Sequence, residues 1–104
     1  HQIFSDRRIL GKEGFVIATV QISKEDNKIL GDPQIVSKGW VSAHAAKRLE
    51  EEIAIAVKKG VRKTLLSEDV TDQDLEQRVR RITGSLVNEL TGRRPMIVPI
   101  VRKV

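Results

Sequence analysis

Between Phe15 and Ile22 apolar side chains fall on every second residue. Val16, Ala18, Val20 and Ile22 make one unbroken apolar row, while the opposite row opens with Phe15 and Ile17 and turns polar at Thr19 and Gln21. This alternation predicts a strand with one fully covered side. The charged run Lys24-Glu25-Asp26-Asn27-Lys28 reads as the turn that follows it. A weaker strand comes next, with Ile29-Leu30 before a Gly31-Asp32-Pro33 break and Ile35 to Trp40 after it, so a bulge or bend is expected. The period then changes. Leu49, Ile53, Ala56, Val57, Gly60 and Thr64 share one side of a helix that Ser42 can cap and that should run to about Leu66. Ile55 and Leu66 project from the other side, which hints at a contact. Thr71-Asp72-Gln73-Asp74 has the form of a capping box for a second helix, whose stripe is Leu75, Val79, Ile82, Leu86 and Leu90, and Gly92 stops it. Asp74/Arg78 and Glu76/Arg80 are spaced as favourable pairs along it. Past Pro95, the residues Met96 to Val101 are apolar on both faces and read as a last strand.

The order β-β-α-α-β predicts an α+β domain: a three-stranded mixed sheet with two antiparallel helices packed on one face. Residues 1–13 read as a lead-in linker and residues 14–104 as the domain. The first strand belongs in the centre because it is the most apolar. The helix pair returns the last strand parallel to it, at an edge that tolerates Pro99.

Two helices cover only one face of such a sheet. A face open to water should alternate apolar with polar, and the last strand does not do so before Arg102. Its outward register, Met96-Val98-Ile100 or Ile97-Pro99-Val101, is open at this level. An apolar patch of several hundred Å2 usually marks an interface. The candidate interface residues are therefore Phe15, Ile17, Trp40, Ile55, Met96, Ile97, Val98 and Ile100, facing another copy of the chain or another domain. The competing reading is that Ile3, Phe4, Ile9 and Leu10 of the lead-in segment fold back over this face.

Composition adds mainly exclusions. One domain's worth of chain, 104 residues with three aromatics, requires a core of Ile, Val, Leu and Ala. With no cysteine there is no disulfide, thiolate nucleophile or Cys-ligated zinc. The two histidines, His1 and His44, do not supply the three or four converging ligands a metal needs, so no cofactor is expected in this chain. His44 reads as a surface or capping residue. Glu50-Glu51-Glu52 reads as a solvated helix face, its charge placed favourably near the helix start, as that of Lys58, Lys59, Arg62 and Lys63 is near the end. No Ser/His/Asp arrangement, P-loop or dinucleotide glycine pattern appears. Gly11 to Gly14 matches the GxxG of a KH loop by letter, but it runs into a strand where that loop joins two helices. No apolar run is long enough to span a bilayer and no secretory pattern opens the chain, so no membrane partner is expected. The lack of cysteine is compatible with a cytoplasmic setting.

The net charge of +5, from 19 basic and 14 acidic residues, is a mild bias towards anionic partners. Arg78, Arg81, Arg93 and Arg94 are the candidate RNA contacts, since guanidinium groups suit phosphate oxygens. Only Trp40 could add the stacking that single-strand binders usually use.

Thr91-Gly92-Arg93-Arg94-Pro95-Met96-Ile97-Val98-Pro99-Ile100 resembles the closing motif of the ribonuclease J family, an R-R-P-M-I-[LV]-P run. Asp6-Arg7-Arg8-Ile9-Leu10 leading to Gly14-Phe15-Val16-Ile17 is similar to the approach to that family's C-terminal domain. Ile35 to Val41 resembles its S-R-G-F segment, with Lys38 and Trp40 where Arg and Phe are commoner. The resemblance implies a piece of a larger enzyme with a metallo-β-lactamase domain and an inserted β-CASP domain. The parent would be a 5′-to-3′ exonuclease and endonuclease of RNA, using two metal ions (zinc is the expected one), in mRNA decay and rRNA maturation. None of those metal ligands lies in this chain, so the resemblance implies no catalysis here. It implies a role in homo-oligomer assembly, such as a dimer, beside the parent's catalytic domains, with RNA met indirectly.

Overall fold

The computed structural model describes residues 14–39, 41–67 and 69–104. Five elements follow in order: β1 (Phe15–Ile22), β2 (Gln34–Lys38), α1 (Ala43–Thr64), α2 (Asp72–Thr91) and β3 (Met96–Lys103). The strand order is β2-β1-β3, with β2 antiparallel and β3 parallel to β1. The most apolar strand does take the centre, and the two helices pack against the sheet.

Alternation along β1 sets the layers. Val16, Ala18, Val20 and Ile22 are essentially inaccessible and meet Ile53, Val57 and Val61 of α1 and Leu75, Val79 and Val87 of α2. Removing an Ile or Val of this size from water contributes about 1.5–3 kcal/mol, so the aliphatic cluster of the described residues is a large share of what holds the fold.

The helix ends are specified locally. The Ser42 hydroxyl accepts from the Ala45 N–H at 3.2 Å, capping α1 as the sequence indicated. At α2 the capping box closes in both directions: Thr71 Oγ1 accepts from the Asp74 N–H, and the Asp74 carboxylate accepts from the Thr71 N–H, each at 3.0 Å. That second bond, and the Thr71 hydroxyl, hold the Asp74 carboxyl below the ordinary carboxylate range. Gly92 ends α2 in the left-handed conformation (φ 71°), which carries a steric cost for any residue with a Cβ.

Several expectations are corrected. β2 begins at Gln34, and before the Gly31–Pro33 break Ile29 makes only a single bridge to Ile22. The buried row of α1 is Ile53–Val57–Val61, with Val61 in place of Thr64. Gly60 instead lies where any Cβ would collide with the Ile82 side chain, so it permits the close approach of the helices. The buried row of α2 is Leu75, Val79, Thr83 and Val87; Ile82 and Leu86 flank it and Leu90 is exposed. The Asp74/Arg78 and Glu76/Arg80 pairs do not form, and Asp74 is held by its cap. Two ion pairs form among the described residues, Lys58–Asp32 at 2.6 Å and Lys103–Asp72 at 3.1 Å. The second ties the end of β3 to the start of α2. The Lys58 hydrogen bond and charge, with Arg62 adding to them, hold Asp32 below its usual range.

Glu50, read as part of a solvated run, has a structural task. Its carboxylate accepts from the Ser37 N–H at 3.1 Å and from the Ser37 hydroxyl at 2.7 Å, pinning β2 to α1. Glu51 and Glu52 are exposed.

Candidate assembly face

The far side of the sheet is fixed by the strand registers. Phe15 stands beside Lys38 and Met96, Ile17 beside Val36 and Val98, and Thr19 beside Gln34 and Ile100. Registered neighbours point to the same face, so Phe15, Ile17, Val36, Met96, Val98 and Ile100 form one apolar surface opposite the helices. Gln34, Lys38, Gln21 and Arg102 rim it. Phe15, Ile17, Met96 and Val98 are half-buried, whereas Val36 is 48% and Ile100 37% exposed.

The register of β3 settles which of its rows faces out. Ile97 and Val101 pack against the helix-side core, so Ile97 is removed from the candidate interface. The reason is its pairing with Val16, an inward residue of β1. Val36, an apolar outward residue in the middle of β2, was missed; its alternation with Ser37 was the available signal. Ile55 is exposed but lies on α1, on the other side of the molecule from this face. Trp40 lies outside the described residues, as do Ile3, Phe4, Ile9 and Leu10 of the proposed covering segment and residues 11–13 of the GxxG match.

The free edge of β3 is a poor place for another strand. The Met96 N–H bonds to the Gly14 carbonyl and the Val104 N–H to the Ile22 carbonyl, at 3.0 and 2.9 Å. By alternation the even-numbered residues bond to β1, and Ile97, Pro99, Val101 and Lys103 present their backbone to the open edge. Pro99 has no N–H to offer there. An incoming strand would lose a bond at its centre, a common protection against edge pairing.

The arginines are dispersed. Arg81, Ser85 and Asn88 follow one another along one side of α2, and Arg94 lines a shallow hollow with Ser85, Asn88 and Pro95. Arg93 and Arg94 are exposed before β3, while Arg78 is half-buried with its Nε inaccessible and without a partner. These groups make no closed site. No cluster of three or more His, Asp or Glu among the described residues could hold a metal ion, and no described helix is long and apolar enough to cross a membrane. His44 is exposed in the first turn of α1.

The sequence profile described as the ribonuclease J C-terminal domain matches residues 2–104. The chain belongs to the ribonuclease J C-terminal domain family. It is 29% identical over 102 residues to Ribonuclease J 2 of Staphylococcus epidermidis and 28% identical over the same length to Ribonuclease J 2 of Staphylococcus aureus. Each comparison covers 98% of this chain but 18% of the relative, so the chain spans less than a fifth of those proteins' length. The run from Gly92 to Pro99 has a physical reading in this ribonuclease J domain. Gly92 stops α2, Pro95 is buried just before the strand, Met96 and Val98 supply the outer face, and the partly buried Ile97 packs against the core. Pro99 guards the edge.

Proposed function

We propose that this domain works without catalysis of its own, joining copies of a ribonuclease J into an oligomer through the outer face of its sheet. In that reading it supports the RNA-degrading activity of the parent enzyme, in mRNA decay and rRNA maturation, while exo- and endonuclease chemistry and metal binding belong to domains outside this chain. The observation that carries it is the surface of Phe15, Ile17, Val36, Met96, Val98 and Ile100, in which the row Val36–Ile17–Val98 is apolar across all three strands. A protected edge beside an apolar face favours packing face to face over strand addition. Sedimentation velocity of the 104-residue chain over a range of concentrations tests this. A dimer that Val98→Glu shifts to monomer supports the reading; a wild-type chain that stays monomeric throughout contradicts it.

The second reading, that the domain guides RNA to the catalytic domains, draws on the exposure of Arg81, Arg93 and Arg94. It expects binding of single-stranded RNA that weakens steeply with salt and drops on replacing Arg93 and Arg94 with alanine.

A further inference from the structure

The outward side of α1, away from the sheet, carries a second surface that assembly through the sheet leaves unused. Ile55 on the helix and Leu66 in the turn that ends it are its most prominent features, 69% and 85% exposed, the two most exposed large apolar side chains described. With Lys59 and Arg62 they are spaced four, three and four residues apart. At the helical turn angle Ile55, Lys59 and Arg62 fall within a strip about 60° wide and about 10 Å long, and Leu66 continues it from the turn just past Thr64, sharing a hollow with Arg62 and Lys63. Lys58 and Lys63 flank the strip, and Glu51 lies one turn before Ile55.

Two adjoining shallow hollows run along it. One is lined by Asp32, Glu51, Ile55, Lys58, Lys59 and Arg62, and the other by the Asp26–Ile29 turn with Arg62, Lys63, Leu65 and Leu66. Arg62 belongs to both, which makes the surface continuous. Lys58 is engaged with Asp32, but Lys59, Arg62 and Lys63 have no carboxylate within ion-pair distance among the described residues.

We infer that this strip docks an acidic helical segment of a partner protein, with two aliphatic anchors seated at Ile55 and Leu66 and carboxylates between them on Lys59, Arg62 and Lys63. Charge complementarity selects the acidic partner. Two bare aliphatic side chains at the ends of the strip select a protein over a nucleic acid, because neither hollow is lined by an aromatic group on which a base could stack. A bilayer surface would ask for a broad apolar face, and this strip has two anchors with cations between them. Glu51 gives the contact a direction, placing any cation of the partner at the Ile55 end. The inference is independent of the sheet-face reading, and Val98→Glu leaves it untouched.

The test uses the 104-residue chain and a fluorescein-labelled helical peptide of about 18 residues, long enough to cover the strip. Its leucines stand eleven positions apart, matching Ile55 and Leu66, with glutamates between them. Fluorescence anisotropy should show saturable binding that weakens with salt. Ile55→Asp, Leu66→Ser and the pair Lys59→Glu/Arg62→Glu should each weaken it about tenfold or more, as loss of an anchor or a central charge does. All four positions are exposed, and unchanged circular dichroism confirms that the variants fold. Equal binding of a peptide with alanines for leucines would overturn the inference. So would indifference to these substitutions. A oligouridylate or a phosphatidylserine vesicle that binds more tightly through the same residues would replace the protein partner with RNA or a membrane, and overturn it equally.

Discussion

The two faces of β1 open with equally apolar residues, yet those residues have opposite fates. Val16, Ala18, Val20 and Ile22 are sealed under two helices, while Phe15 and Ile17, as apolar as their neighbours, stay half-covered among Val36, Met96 and Val98. Being apolar therefore does not by itself seal a residue of this strand. What decides is the supply of covering elements, since two helices can shield one face of a three-stranded sheet and no more. The surplus on the other face is the surface through which association is proposed, and Pro99 leaves the β3 edge beside it without an N–H at its centre.

The contrast is broken most directly by truncating one residue on each face. Ile22→Ala opens a cavity in a sealed core and should cost about 3 kcal/mol, whereas Ile17→Ala removes only half-buried surface and should cost about 1 kcal/mol. Urea denaturation of both variants measures the difference. Equal losses would mean that the two faces are equally packed.

The covering layer has its own weak points. Thr71→Ala removes the cap that starts α2 and should cost about 1 kcal/mol in the same assay. Its partner Asp74 makes this end of the lid sensitive to acid. A carboxyl whose folded pKa is depressed stabilises the fold above its unfolded value of about 3.9, and that contribution disappears as the pH falls through the lower folded value. Wild-type stability should therefore fall below about pH 4 more steeply than that of Asp74→Asn. Thr83 is the flaw on the sealed side, fully buried with a hydroxyl that finds no partner. Thr83→Val keeps the shape and should raise stability by about 1 kcal/mol. The smallest effect belongs to the open face. Val36→Asp should change the stability of the monomer by no more than about 0.5 kcal/mol, while weakening association.

Much of this architecture was legible because strand alternation is unambiguous. The order of elements, the central place of β1, both N-caps and the Gly92 stop could all be read from local chemistry. The rotation of α2 could not. Its apolar arc is wide enough to hold both Leu86–Leu90 and Thr83–Val87, and ranking by hydrophobicity chose the leucines. The sheet surface instead admits the smaller Thr83 and Val87, and leaves Leu90 exposed. Gly60 could not be understood without Ile82 on the neighbouring helix.

The outward row of β3 was ambiguous by hydrophobicity, yet a signal existed. Pro99 must turn its missing N–H to the open edge of the sheet. In a strand of L-residues joined by a right-handed crossover, backbone facing that edge puts the side chain on the helix side. Ile97, Pro99 and Val101 then point inward and Met96, Val98 and Ile100 outward, as observed. The apolar outer face was legible as a surplus, but Val36 was hidden in a strand that reads as weak.

Methyl-resolved NMR of the 104-residue chain over a dilution series tests the central claim most directly. Association through the sheet predicts that the methyl signals of Ile17, Val36, Met96, Val98 and Ile100 move with concentration while those of Ile22, Ile53 and Val57 stay fixed. Spectra that do not change with concentration, or changes confined to other surfaces, would contradict it.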